Sequence, residues 1–197
     1  MDPLQCHSCQ AALDADSFFC KKCEIIQYPK NVNYFQLFAI EQHFNIDKEL
    51  LERKYLKLQS ILHPDLFTQK TNLEQILAKK HSIILNKSYQ ILGDDLLRSI
   101  YILSLENIII NTESDDNVRT DHDVLLEILE IRERIEDLEN KDLLKTIFTE
   151  VAQYIEDTYN SLADAHQKNN LRDAAQLSIK LKYYSQIQAK ILRNLAR

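Results

Sequence analysis

Along most of this chain apolar residues recur every three or four positions, the repeat of a helix with one buried side. Leu51, Tyr55, Leu58 and Leu62 follow one another at steps of 4, 3 and 4 and share one face of a predicted helix. That helix must stop near Pro64, because a proline disfavours the helical conformation at the residue before it. The next repeat opens on Thr71-x-x-Glu74, a capping-box signature, and carries Leu73, Leu77, Ile84 and Ile91 to Gly93, the only glycine, in the usual place of a C-terminal cap. The two stretches predict antiparallel helices joined by a loop that starts at His63-Pro64-Asp65, and a shorter helix over about Asp94 to Leu105 closes the unit. Residues 106–119 are polar and acidic towards their end and lack a sustained period, which predicts a linker whose Ile108, Ile109 and Ile110 pack on a neighbouring helix. Thr120-x-x-Asp123 resembles another cap. Three further helices are expected at about 121–139, 142–167 and 171–196, with breaks at Asn140 and at Asn169-Asn170. Such short connections predict an antiparallel three-helix bundle over 120–197. Residues 1–32 show little helical periodicity, hold all four cysteines and two of the three prolines, and are expected to form a small module of their own.

Composition supports an all-α fold. The 197 residues are 45% hydrophobic, enough to bury a core, and one glycine and three prolines leave almost none of the punctuation that hairpins require. A net charge of -6 and a pI near 5.5 disfavour a general nucleic-acid binder, which needs a basic footprint for phosphates. No apolar run approaches the roughly 18 residues of a membrane span. The start, MDPLQC, has neither a secretory apolar core nor the Arg-rich character of a transit peptide. The expected compartment is the cytosol, or the mitochondrial matrix if the chain is processed.

The cysteines follow the pattern C-x2-C-x10-C-x2-C as Cys6, Cys9, Cys20 and Cys23. Each pair forms a knuckle whose thiolates reach one ion, and four thiolates complete the tetrahedral shell that zinc prefers. A module of about 30 residues lacks the core to fold alone, so metal binding would supply its folding energy. Iron in place of zinc, a pair of disulfides, or four unrelated thiols are the alternatives; Gln10 and Glu24 stand where a glycine often follows the second cysteine of a knuckle. His7, between the first two cysteines, is expected to be exposed and not coordinating.

His63-Pro64-Asp65 reads by itself as a helix stop followed by a turn, with Asp65 bonding nearby backbone amides. An enzyme site would need a phosphate loop or nucleophile motif, and the sequence supplies neither. The placement says more. His-Pro-Asp between two antiparallel helices, with basic Arg53, Lys54 and Lys57 on the first, resembles the J domain of DnaJ-type co-chaperones. NYFQLF at 33–38, HPDLF at 63–67, NKSYQILGDDLLRSIYILSL at 86–105, LLEILEIRERIEDL at 125–138 and KLKYYSQI at 180–187 resemble the HscB family of iron-sulfur co-chaperones. FFCKKCEIIQYP resembles the N-terminal metal module of its eukaryotic form. Leu62 and Leu66 depart from the tyrosine and lysine common beside the motif. The resemblance implies a J domain over 33–105 and a C-terminal scaffold-binding domain over 120–197. It further implies that His63, Pro64 and Asp65 contact a DnaK/HscA-class chaperone and stimulate its ATPase, that Arg53, Lys54 and Lys57 steer the encounter, and that the chain itself is no enzyme.

The C-terminal part adds an observation of its own. Ile128, Ile131, Ile135 and Leu138 make a core stripe, whereas Leu126 and Leu129 project roughly opposite it, with Glu130, Glu133 and Asp137 around them. An apolar patch with an acidic rim suits a binding surface; the alternative is that another helix covers both leucines. In the last helix Leu177, Leu181, Tyr184, Ile187, Ile191 and Leu195 form the core face and leave Tyr183 on its flank. Matched residue by residue, the resemblance points to Leu125, Leu126, Leu129, Glu130, Glu133 and Tyr183 as the contact with an iron-sulfur scaffold protein of the IscU type. A zinc-dependent protein or nucleic-acid interaction module is the competing reading, with only Lys21, Lys22 and Lys30 as basic residues near the knuckles.

Overall fold

The computed structural model describes residues 5–14, 17–110, 122–136, 138 and 140–196, the side chain of Asp123 excepted. Seven α-helices occur among them: α1 Tyr34–Leu37, α2 Lys48–Leu62, α3 Asn72–Gly93, α4 Asp95–Leu105, α5 His122–Glu136, α6 Lys141–Gln167 and α7 Leu171–Leu195. Outside helices, the described residues carry only two isolated β-bridges. The fold is all-α. The cap predicted at Thr120 and Asp123 and the rim residue Asp137 lie outside the described side chains.

The chain folds as two compact units, Met1–Gln42 with Ile46–Gly93, and His43–Asn45 with Asp94–Arg197. In the first, α2 ends as the proline dictates, since His63 is extended at φ -61 and ψ 131 and Pro64 opens a 3-10 turn to Phe67. The predicted capping box is present: Thr71 Oγ1 accepts from the Glu74 amide at 3.3 Å, and Glu74 Oε2 accepts from the Thr71 amide at 3.0 Å. Helices α2 and α3 pack antiparallel. Tyr55 donates to Asn86 at 3.0 Å and its ring stacks on Tyr89 at 4.2 Å.

Three expectations for this unit are corrected. The buried face of α3 is Leu77, Ala78, His81, Leu85, Ser88 and Leu92, while Leu73 stays 40% exposed. The stripe read from large aliphatic residues was out of phase because a histidine, a serine and an alanine take seam positions. Gly93 is the last residue of α3 and has no left-handed backbone; a Cβ there would meet nothing within 4 Å, so the chain does not require glycine. The cysteine module is not separate, for Ile26 shares one apolar cluster with Leu62, Phe67, Leu77 and Ala78.

The second unit departs from the expected boundary as well. Helix α4, assigned to the J domain by sequence, packs on α7. Its Ser99 hydroxyl lies 2.7 Å from both Ser178 on α7 and His166 on α6, all within the seam. Arg98 is 99% buried; a charge there needs partners, and it has the Asp95 carboxylate, the Phe44 carbonyl at 2.6 Å and the Phe44 ring at 5.1 Å. Phe44 also stacks on His166 at 4.7 Å, which draws residues 43–45 into this unit. Asn169 takes the left-handed conformation at φ 52 between α6 and α7, and Asn140 and Asn170 cap the helices that follow them. Of the three isoleucines near 109, only Ile110 is buried, and Ile109 is 64% exposed.

Burial, and then the nearby Arg98 guanidinium, hold the His166 imidazole well below its usual range, at about 4. The folded protein therefore resists protonation that the unfolded chain accepts at about 6.5. The stabilising effect of a neutral His166 is complete above that value and is lost as pH falls towards 4. Chemical denaturation of wild type and His166→Gln between pH 7 and 4 should show a steeper acid loss in wild type. Parallel pH profiles would show that His166 does not govern this slope.

Candidate functional site

The two cysteine knuckles are built alike, the second repeating the first fourteen residues on. Cys6 O accepts from the Gln10 amide at 3.0 Å and Cys6 Sγ from the Ser8 amide at 3.4 Å; Cys20 repeats this with Glu24 at 2.8 Å and Lys22 at 3.4 Å. Each knuckle is closed by a bridge, Gln5 with Ala12 and Phe19 with Ile26. Gln10 and Glu24 occupy the left-handed region at φ 56 and 57. The sharp turn after the second cysteine forms without glycine, at a backbone cost of roughly 1–2 kcal/mol per position.

All four sulfurs lie within 4.8 Å of one another, with Cys6 to Cys23 and Cys9 to Cys20 at 3.6 Å. A tetrahedral ion with metal–sulfur bonds of about 2.3 Å would hold its ligands about 3.8 Å apart, so the tetrad fits a metal ion. The protein's own dipoles favour thiolates on one side of it. The Cys9 amide, and then the Ser8 amide, bring the Cys6 thiol down to about 6 against burial, and the Cys23 and Lys22 amides lower Cys20. At Cys23 the Ile25 amide pulls down, but burial and three neighbouring sulfurs push the thiol up to about 12. Four negative sulfurs in one place need a cation to balance them. Gln27, 97% buried, adds a second layer by donating to Cys6 Sγ at 3.4 Å. Sequence reasoning passed over Gln27, which carries no motif. His7 stands outside the tetrad, exposed, with Nε2 at 2.9 Å from the Ile26 carbonyl, as expected.

The His63-Pro64-Asp65 turn is held by its ends. Leu62 and Phe67 are 1% and 5% exposed, whereas the His63 and Asp65 side chains are 45% and 86% exposed between them. His63 O accepts from the Leu66 amide at 3.0 Å, His63 Nδ1 accepts from the Asp65 amide at 3.3 Å, and the Thr68 hydroxyl donates to the Asp65 carbonyl at 3.3 Å. The histidine, not the aspartate as the sequence suggested, bonds the backbone, and the Asp65 carboxylate faces solvent 3.6 Å from the ring. On α2, Arg53 is 63% exposed beside Glu49 at 3.8 Å, Lys54 donates to the Ala39 carbonyl, and Lys57 is exposed. These three and the turn lie in the same unit.

On α5 the structure separates two faces. Ile128, Ile131 and Ile135 are buried, whereas Leu125, Leu126 and Leu129 are 37%, 47% and 51% exposed, with Glu130 and Glu133 exposed beside them. Leu138 lies past the helix end and is half-buried. Tyr183 differs from expectation. It is 8% exposed, covered by the Arg132 guanidinium at 5.4 Å and the Lys182 ammonium at 5.9 Å from its ring. A tyrosine on the flank of a helix in a bundle is still within reach of a neighbouring helix's long side chains, which a one-helix projection does not register.

Residues 120–192 match the model of the HSCB C-terminal oligomerisation domain. The chain is 32% identical over 191 residues to the iron-sulfur cluster co-chaperone protein HscB of Mus musculus, covering 95% of this chain and 81% of that protein. It is 31% identical to the human protein over 89% of this chain and 74% of that one. The crystal structure of human HscB superposes with a TM-score of 0.91 at 29% identity, covering 98% of this chain and all of that one. HscB from Vibrio cholerae gives 0.73 at 28% identity over 82% of this chain and 96% of that one.

Purified protein should take up one divalent ion per chain with release of protons, since thiols must lose their protons to ligate a metal and the Cys23 thiol is pushed up to about 12. Cys9→Ser and Cys20→Ser should each lower that uptake by tenfold or more, read by competition with a chromophoric chelator. Uptake by both variants equal to that of wild type would show that the tetrad is not the site.

Proposed function

From the premise that this chain belongs to the HscB family of iron-sulfur cluster co-chaperones, we propose that it stimulates the ATPase of a DnaK/HscA-class chaperone and delivers an iron-sulfur scaffold protein to it. The observation that carries the reading is the His63-Pro64-Asp65 turn, exposed at its tip and anchored by two buried residues. Such a turn offers a fixed shape to a partner with little ordering left to lose on binding. Arg53, Lys54 and Lys57 lie on the helix leading into it and steer an acidic chaperone surface towards the turn, while Glu49 beside Arg53 tempers the field. The chain brings no phosphate-binding loop, so hydrolysis belongs to the chaperone. The iron-sulfur cluster is the scaffold's cargo.

Zinc is the metal proposed for Cys6, Cys9, Cys20 and Cys23, because four thiolates at tetrahedral spacing with no open position suit a structural ion. The scaffold docks on Leu125, Leu126 and Leu129, with Glu130 and Glu133 as its charged rim. Tyr183 contributes indirectly: its ring holds Arg132 beside that face. No helix among the described residues is long and apolar enough to cross a membrane.

His63→Gln or Asp65→Asn should abolish ATPase stimulation at unchanged helicity, as exposed turn substitutions cost little stability. Normal stimulation by either variant would sink the assignment of the turn. Leucines central to an interface contribute on the order of 1–3 kcal/mol each, so Leu126→Ala with Leu129→Ala should weaken scaffold binding at least about tenfold in a calorimetric titration. Glu133→Ala should do less, and least at high salt. An unchanged affinity of the double variant would move the scaffold site elsewhere.

A further inference from the structure

The ends of the His63-Pro64-Asp65 turn are covered from one direction by the cysteine module. Leu62 and Phe67 cluster with Leu77 and Ala78 of α3 and with Ile26 of the second knuckle, which is fully buried; Phe18 and Phe19 pack on the same cluster. The Phe19 and Phe67 rings lie parallel, 4° apart with centroids at 6.5 Å. Phe19 and Ile26 are themselves the bridge that closes the knuckle around Cys20 and Cys23. A polar line runs beside this apolar one: the Gln27 side chain donates to Cys6 Sγ, and the Gln27 carbonyl accepts from His81 Nε2 of α3 at 2.8 Å.

We infer that the metal module positions the His63-Pro64-Asp65 turn, with Phe19, Ile26 and Gln27 as positioning residues whose own placement depends on the metal-bound thiolates. The inference rests on the reading of that turn as the chaperone contact. Its physical basis is that a four-residue 3-10 turn is too short to fix its own geometry, so its shape is set in part by what grips Leu62 and Phe67. Part of that grip comes from a segment too small to keep a fold without its ion. When the thiolates lose the metal, the second knuckle opens, Phe19 and Ile26 leave the cluster, and the turn samples other conformations. A partner then finds the competent turn only part of the time, so the concentration required rises while the maximal effect at saturation is kept.

The test uses the full chain as wild type with zinc, wild type treated with a chelator, and Phe19→Ala, Ile26→Ala and Phe19→Leu. Amide exchange of Leu66 and Lys70, whose amides bond within and just after the turn, is read against that of Leu51 at the far end of α2. In the two alanine variants and the chelated protein, exchange at Leu66 and Lys70 should quicken about tenfold with Leu51 unchanged, as for local opening. The concentration for half-maximal stimulation of a DnaK-class ATPase should rise several-fold at constant maximum. Phe19→Leu should restore most of both, and zinc should reverse chelation. Unchanged exchange at Leu66 and Lys70, or equal loosening at Leu51, would overturn the inference. A wild type that stimulates no such ATPase would defeat the functional reading instead, and the exchange data would still decide whether the module holds the turn.

Discussion

Pro64 has no amide hydrogen, and its ring keeps His63 out of the helical region; that one constraint organises the first unit. It ends α2, turns the chain through a 3-10 segment and lets α3 return along α2. It also lifts the polar residues of the turn into solvent. The hydrophobic effect acts on the residues either side, burying Leu62 and Phe67 where α2, α3 and the second knuckle meet. The exposed tip and its buried ends are two consequences of the same break in the helix.

The module supplying part of that burial sits close to the limit of what can fold. Its described residues offer Ile26, Gln27 and two cysteines as fully buried side chains, too few to order a segment of about 30 residues without help. Help comes from two sources, a metal ion for which four sulfurs are gathered, and the apolar seam of α2 and α3. Acceptance of left-handed backbone at Gln10 and Glu24 shows how strongly the knuckle geometry is imposed by its amide-to-sulfur and amide-to-carbonyl bonds.

In the second unit a buried polar seam plays a comparable part. Ser99, Ser178 and His166 hydrogen-bond where purely apolar packing would leave α4, α6 and α7 free to slide past one another. Arg98 and Phe44 extend the seam and tie residues 43–45 to it. With the isoleucine face of α5 used for packing, Leu126 and Leu129 are left outside: a helix with two apolar faces can bury only one in a bundle this thin.

By itself the sequence determined the helices, their ends and the chemistry of the motifs, because these depend on neighbours in the chain: proline at 64, the Thr71 and Glu74 box, asparagines at 140 and 170, and cysteines in pairs. It also separated the two faces of α5, since periodicity alone places Leu126 and Leu129 opposite the isoleucines. Only the tertiary structure decided which face of α3 is inside, because His81 and Ser88 enter a seam by hydrogen bonds that no hydropathy pattern registers. The same holds for α4 joining α7, for the cysteine module packing behind the turn, and for Tyr183 lying under Arg132. Each is a contact between residues far apart in the chain, fixed by the shape and pairing of both surfaces and written in neither segment alone.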